Sequence, residues 1–453
     1  MNIVMFSMTP LFADRAMGGA QIQLKKVALH LGQLGHDVTV LCTHPAGGGQ
    51  AFEWGERVNV IPIFRFKQPY PEPYFTPIYN IANALQTMGD YLSQADRYYS
   101  HDGGLIFPGV YEHIPTVISL RSVLFAETLQ SGYLFQGDAL ILPSEFARQC
   151  YIKTAGRFLD GYADRAIVIH NGLDFNKFKA TDTQAIRAYL GLEGDYRYIL
   201  FPHRPDEDKG ILQTIELANK LVHEYGLKDI RFLVPRWMDE DVSPSTQAFY
   251  ARLRGMLTQY DLEMYFVFHP WIAEDMMPAY YSLGALTLAI GNYVETFGNV
   301  PYESLACGTP VILANVGPAR EILPDELVDK INYGDINTAA VIAHRILTNA
   351  ERTSTACLSY LHQHLGQKQM VSQYADVILN AQKRPPMAYH YEPYTEQTRF
   401  QLAPWCYRTA QGIYHDFQAT YYTDEIPVGY FTFDDVTKER VLSWVDMGLV
   451  VAV

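Results

Sequence analysis

Two glutamates, Glu295 and Glu303, stand eight residues apart in the stretch "ETFGNVPYESLACGTPVIL", residues 295–313. Pro301 suits the first turn of a helix, where its missing N–H costs nothing. Gly298 and Asn299 suit the loop before it. The spacing therefore predicts Glu295 in a loop, close behind the strand "ALTLAI" (285–290), and Glu303 in the first helical turn. An acid in a first turn complements the helix dipole, which accounts for Glu303 but not for Glu295. A carboxylate there would repel an anion on the helix axis, so Glu303 is suited to hydroxyls beside a phosphate.

Arg204 and Lys209 flank the loop in "FPHRPDEDKGILQTI". Both can reach an anion held over the start of the following helix, with charge-assisted hydrogen bonds of roughly 1.5–3 kcal/mol each. Taken alone, two solvated cations explain them as well. Asp206 and Asp208 form a D-x-D pattern that reads as a charged turn in preference to a metal site. Gly18 and Gly19 precede the first helix. They let a phosphate or sugar approach the backbone beside free helical N–H groups, or they simply make a tight turn. The glycine fingerprint of dinucleotide sites is absent, which counts against nicotinamide or flavin. The Gly317–Pro318 pair in "NVGPAREIL" reads as turn chemistry.

These residues need a frame. "NIVMFSM" (2–8) is a buried strand, "MGGAQIQLKKVALHLGQLGH" (17–36) carries helical spacing, and "DVTVLCT" (37–43) is the next strand. Strand, glycine turn, helix, strand is a βαβ unit and implies a parallel sheet. Strands at "RYYS", "TVISL", "DALILPS" and "AIVIHNG" continue the pattern. It restarts at "YRYILFP" (196–202), with a helix over 210–226 and strands "IRFLVP", "MYFVFH", "ALTLAI" and "TPVILA". A helix over 367–383 closes the series. The chain reads as two successive α/β units with a boundary near 175–195. Ligands of such sheets sit at the carboxyl ends of the strands, where all the candidates above fall.

At 453 residues the chain is too long for one core. Its 48% hydrophobic and 19% charged content is that of a globular protein. Residues 1–190 hold 15 Lys+Arg and 16 Asp+Glu, a net charge of −1, and the remainder holds 20 and 33, a net charge of −13. That excludes a basic footprint for nucleic acid and gives no electrostatic case for an anionic membrane. Five scattered cysteines read as free buried thiols of a reducing compartment. The start has no basic leader pattern, and no apolar run reaches the ~18–20 residues of a span. A cytoplasmic protein is the expectation. Residues 385–453 hold 14 Phe, Trp and Tyr, above the chain average of 13%, and should pack on the body or on a second copy.

In this order, the segments resemble those of retaining glycosyltransferases of family 4. "ETFGNVPYE" with "SLACGTPVI" is similar to that family's E-x7-E motif and its trailing helix and strand. "HRPDEDKG" is similar to its R-x4-K-G segment, "GGAQIQLKKVALHLGQLGHDVTVL" to its first glycine loop, helix and strand, and "VIHNGLDFNKF" to the end of its first domain. The resemblance spans about residues 1–380.

It implies an α/β protein of the GT-B fold, with two facing Rossmann-like domains, each with a parallel sheet. The expected boundaries are 1–178 for the acceptor side, 179–384 for the donor side with its last helix crossing back, and an aromatic extension over 385–453. It implies transfer of a hexose from a UDP-, GDP- or ADP-sugar to a carbohydrate or lipid-linked acceptor, with retention, no metal and no cofactor, in cell-envelope or exopolysaccharide assembly. Residue by residue, Arg204 and Lys209 would hold the diphosphate, Glu303 the ribose hydroxyls and Glu295 the sugar hydroxyls. Phe297, Gly298, Asn299 and Val300 would complete the donor segment, and Gly18 and Gly19 would lie against sugar or phosphate.

One position departs from the family: a histidine is replaced by Arg121 in "SLRSV", with His101 in "SHDGG" as a further candidate near the sugar. Acceptor contacts are expected from the first domain, including the loop "YPEPYF". Peripheral membrane association and self-association through 385–453 are further expectations. The competing readings are a catalytically silent GT-B scaffold, or another GT-B activity such as a phosphorylase or a sugar-nucleotide epimerase.

Overall fold

The computed structural model describes residues 1–15, 18–45, 49–66, 76–103, 108–236 and 244–453. Most of the "QPYPEPYFTP" loop, with the expected acceptor contacts, lies outside them. The chain divides into two units, Met1–Gly172 with Glu295–Phe297 and Lys368–Val453, and Leu173–Val294 with Gly298–Gln367.

The first unit carries an eight-stranded sheet of β1 (Asn2–Pro10), β2 (Asp37–Thr43), β3 (Phe52–Gly55), β4 (Val58–Phe64), β5 (Arg97–His101), β6 (Thr116–Ser119), β7 (Ala139–Leu142) and β8 (Ala166–Val168). The order is β3-β4-β2-β1-β5-β6-β7-β8. All pairs are parallel except β3–β4. Strands β3 and β4 go beyond the sequence reading. Pro62 sits inside β4 and weakens the strand pattern, yet Val58, Val60 and Phe64 alternate into the core.

The second sheet has β9 (Arg197–Leu200), β10 (Ile230–Pro235), β11 (Phe266–His269), β12 (Gly284–Ala289), β13 (Val311–Ala314) and β14 (Asp329–Ile331). Its order is β11-β10-β9-β12-β13-β14, and all its pairs are parallel. That is the doubly wound order of mononucleotide-binding sheets, in which the strand order reverses between β9 and β12. The helix expected over 210–226 is α-helical only over Ile211–Asn219 and continues as a π-turn over Lys220–Glu224. The wider turn accompanies burial of both Leu221 and Val222.

The helix Gln367–Asn380 belongs to the first unit from Lys368 on. Met370, Val371, Tyr374, Ala375 and Ile378 join the core of β1, β2 and the helix Gly19–Gln33. It stops at Asn380 rather than at 383, where the Arg97 guanidinium donates to the Leu379 carbonyl at 3.0 and 3.2 Å. A basic group on the last carbonyls of a helix satisfies acceptors left without an intrahelical partner.

The aromatic residues of 385–453 build a core of their own. An antiparallel pair, β15 (Phe400–Leu402) with β19 (Val450–Ala452), and a meander, β16 (Cys406–Thr409), β17 (Gly412–His415) and β18 (Thr420–Tyr422), enclose Phe400, Phe431 and Trp444 with the helix Lys438–Asp446. Buried Asp138 anchors the segment that leads there. It accepts from the Arg384 backbone N–H at 2.6 Å and pairs with Lys383 Nζ at 3.3 Å. Arg157 donates to Tyr394 Oη at 2.6 Å and stacks over its ring at 4.4 Å. The extension thus packs on the body of its own chain.

Candidate functional site

In the second unit the loops after β9 and β12 meet at the reversal of strand order. Asp206 and Asp208 turn the first of these loops through their backbones. The Asp206 carbonyl accepts from Lys209 N, and the Asp208 carbonyl accepts from Asn292 N and Tyr293 N at 2.9 and 2.8 Å. Glu207 pairs with Arg252. Among the described residues, no three His, Cys, Asp or Glu side chains gather as a metal site.

Gly210 has φ +89°, and a Cβ there would lie 2.7 Å from Gly291 N. A Cβ on Gly291 would lie 2.3 Å from the Asp208 carbonyl oxygen. Two glycines, one on each loop, therefore let the backbones touch. Lys209 is the residue delivered by this contact. Its Nζ sits 3.6 Å from the centroid of the Tyr293 ring. Arg204 is exposed on the same loop. His203, just before Arg204, has its Nε2 buried and without a hydrogen-bond partner. Burial and the neighbouring Lys209 charge hold its pKa down at about 3, against a bond to the Leu288 carbonyl, so the ring is neutral. Sequence reasoning passed over His203, Tyr293 and Gly291. The repeated Gly near a strand end was the available signal for the last.

Glu303 stands in the first turn of the helix Val300–Ala306, with Pro301 at its start and Asn299 as its cap. Tyr281 Oη donates to Glu303 Oε2 at 3.0 Å. Burial and the Glu303 charge hold the phenol far above its ordinary pKa, so it remains a donor. The helix is pinned to the sheet by buried hydroxyls. Thr287 Oγ1 and Ser304 Oγ lie 2.7 Å apart, Ser304 donates to Thr309 O, and Thr309 Oγ1 donates to Tyr281 O at 2.7 Å. Gly298 and Val300 flank the cap in the same unit.

Glu295 lies in a loop, as the spacing predicts, and heads the segment Glu295–Phe297 that groups with the first unit. There Thr296 Oγ1 donates to the Arg121 carbonyl at 2.6 Å, and the Phe297 ring lies 5.9 Å from His170.

The first unit has its own reversal, between β1 and β5. A cavity of about 230 Å³ opens there, lined by Ser7, Thr9, Gly18, Gln21, His101 and Asp102 among others. Gly18 caps the helix Gly19–Gln33, and a Cβ on Gly18 would meet nothing within 4 Å. The space beside it is open to a ligand, and no steric contact demands glycine. His101 Nε2 donates to the Ala20 carbonyl at 2.8 Å, which leaves Nδ1 to accept from Tyr99 Oη at 2.7 Å. Burial, aided by the Arg121 charge, lowers its pKa to about 3. Asp102 is pushed up to about 6 by burial against the pull of Arg121. The Arg121 guanidinium is held by Tyr374 Oη at 3.1 Å and by Asn171 Oδ1, and its backbone N–H donates to Asp102 Oδ1 at 3.0 Å. Arg121 thus ties the returning helix to the end of β6.

Comparison with known proteins agrees with this frame. A model described as glycosyltransferase family 4 matches residues 17–177, and one described as glycosyl transferases group 1 matches residues 182–332. An uncharacterized glycosyltransferase of Methanocaldococcus jannaschii is 24% identical over 70% of this chain and 81% of its own length. A D-inositol 3-phosphate glycosyltransferase of a Mycobacterium species is 31% identical over 38% of this chain and 37% of its own. Among solved structures, the sucrose-phosphate synthase of Thermosynechococcus elongatus has a TM-score of 0.65 at 19% identity, covering 83% of this chain and 98% of that one. Anabaena HepE, in complex with UDP and glucose, has a TM-score of 0.62 at 20% identity, covering 84% and 99%. With one glycosyltransferase model matching in each half, a Rossmann-like sheet in each unit and GT-B proteins as structural neighbours, the chain is a family-4-like glycosyltransferase.

Proposed function

We propose that this protein is a retaining, metal-independent hexosyltransferase that moves a sugar from a nucleoside diphosphate to a carbohydrate or lipid-linked acceptor. The observation that carries this reading is the loop contact at the strand reversal of the second unit. It fixes Lys209, five residues beyond Arg204 on the same loop, at the carboxyl ends of β9 and β12. Departure of a nucleoside diphosphate leaves negative charge on the phosphates, and fixed cations stabilise charge where it develops. They supply there what a divalent ion supplies elsewhere.

Glu303, oriented by Tyr281, takes the ribose hydroxyls, and Glu295 takes hydroxyls of the transferred sugar. Gly18 borders the cavity of the first unit and leaves room for sugar or phosphate, with Gly19 opening the helix behind it. Phe297, Gly298, Asn299 and Val300 shape the donor segment. A uridine base is favoured because HepE, which shares the fold, is described with UDP-glucose. Retention proceeds by attack on the face the diphosphate leaves. The setting proposed is the cytoplasm, at the membrane periphery, in envelope or exopolysaccharide assembly. No helix among the described residues is long and apolar enough to cross a membrane.

Calorimetry with UDP-, GDP- and ADP-glucose in excess EDTA tests the donor step. One of the three should bind in the micromolar range, and slow donor hydrolysis should follow. Lack of binding by all three, or strict dependence on added metal, would overturn the reading.

A further inference from the structure

The first unit holds a second cavity, of about 340 Å³, between the body and the aromatic extension. That is within the roughly 300–1,000 Å³ range of small-ligand sites. Its walls are Val123, Leu129, Tyr133 and Tyr151 from the body, with Trp405 and Phe417 from the extension. The helix Ala126–Tyr133 contributes Leu129 and Tyr133 one turn apart, and Phe125, one turn earlier on the same face, is 56% exposed. Phe417 and Tyr133 are 38% and 49% exposed at the lining, so the apolar surface continues outward.

Four polar side chains along these walls are already engaged. Tyr151 Oη donates to the Ser122 carbonyl at 2.8 Å, Trp405 Nε1 to the Gly448 carbonyl at 2.7 Å, and Thr154 Oγ1 to the Cys150 carbonyl at 2.7 Å. His415 Nδ1 accepts from Gln418 N at 3.2 Å. Such walls offer a sugar or a phosphate little to orient it, whereas they bury hydrocarbon well.

The cavity adjoins the polar one already described. Asp102, in the polar cavity, accepts from Arg121 N, and Ser122, the next residue, accepts from Tyr151 in the apolar wall. A Cβ on Gly103 would lie within 3.2 Å of Thr128 Cα, on the helix whose other face lines the apolar cavity.

We propose that the apolar cavity between the body and residues 385–453 binds the hydrocarbon chain of an amphiphilic acceptor, whose sugar head is served by the polar cavity across the 121–123 segment. The assignment of the head rests on the transferase reading, and the binding of the chain does not.

The test is calorimetry on the full chain, without donor, using decyl β-glucoside, decanoate and methyl β-glucoside below micelle-forming concentrations. Both decyl compounds should bind with a negative heat-capacity change, the mark of apolar burial, and methyl β-glucoside at least tenfold more weakly. Leu129→Trp, which fills the cavity, and Phe417→Glu, which charges its rim, should each weaken decyl binding at least tenfold while donor binding and melting temperature persist. Failure of wild-type protein to bind either decyl compound, or undiminished binding by both variants, would overturn the proposal. In a separate assay with nucleotide sugar added, absence of transfer to decyl β-glucoside despite intact decyl binding would count against the transferase reading alone.

Discussion

Lys209 Nζ stands 3.6 Å from the Tyr293 ring centroid, a cation held against an aromatic face by two loops that touch through their backbones. The ring restricts where the ammonium can go without neutralising it. Contacts of this kind are worth about 0.5–2 kcal/mol. Tyr293→Leu should weaken nucleotide-sugar binding by about 2- to 30-fold, and Tyr293→Phe, which keeps the ring, by much less. Lys209→Ala should remove turnover with little change in melting temperature. Donor titrations of the three variants check the ranking, and equal affinity for Tyr293→Leu and wild type would remove Tyr293 from the site.

The same loop contact makes a stability prediction. Gly210→Ala forces a side chain onto a left-handed backbone and to 2.7 Å of Gly291 N, while Gly291→Ala drives one to 2.3 Å of the Asp208 carbonyl oxygen. Neither neighbour is a flexible side-chain end, so the loops must separate. Each variant should lose more than ~1 kcal/mol of stability, and donor affinity should fall with it because Lys209 moves. Denaturant titration gives the first quantity and calorimetry the second. A variant as stable as wild type with unchanged affinity would show that the contact is dispensable.

Much of this frame was legible in the sequence because its signals are local. Pro301, Gly298 and Asn299 predict a break before a helix, and Glu295 and Glu303 fall on either side of it in the structure. The alternation of strands and helices predicts two parallel sheets, and both are present. What escaped is non-local. Tyr281 reaches Glu303 from 22 residues away, and Tyr374 reaches Arg121 from 253 away. Neither pairing has a sequence period to reveal it. The extension's aromatics predict burial, but antiparallel pairs such as Phe400 with Ala452 depend on a register that composition does not encode.

Tyr281→Phe isolates one such long-range contact. It removes a charge-assisted hydrogen bond of roughly 1.5–3 kcal/mol and leaves the ring, which is fully buried. If Glu303 takes the ribose, KM for the donor should rise by about ten-fold with kcat nearly unchanged, the signature of lost uniform binding. The variant's affinity for a free 2′-deoxynucleoside diphosphate should change much less. A fall in kcat at constant KM would place Glu303 in the chemical step instead.

Acid should destabilise the fold through its buried imidazoles. His101 and His203 are held near 3 and His269 near 4, chiefly by burial, so all three stay neutral in the folded state far below the ordinary histidine value of 6.5. The unfolded chain takes up those protons as pH falls through 6.5, and the folded chain does not. Stability from these groups is therefore complete above 6.5 and is lost between 6.5 and about 3. Asp102 acts oppositely. Its folded value near 6 exceeds the ordinary 3.8, so it favours the folded state as pH falls from 6 towards 3.8. Three histidines outweigh one aspartate, and each proton taken up on unfolding contributes ~1.4 kcal/mol per pH unit. Melting temperature should drop steadily from pH 7 to pH 5, and His101→Gln should flatten the slope by about one proton. A melting temperature that held or rose on acidification would mean that these rings are reached by water and protonated in the folded chain.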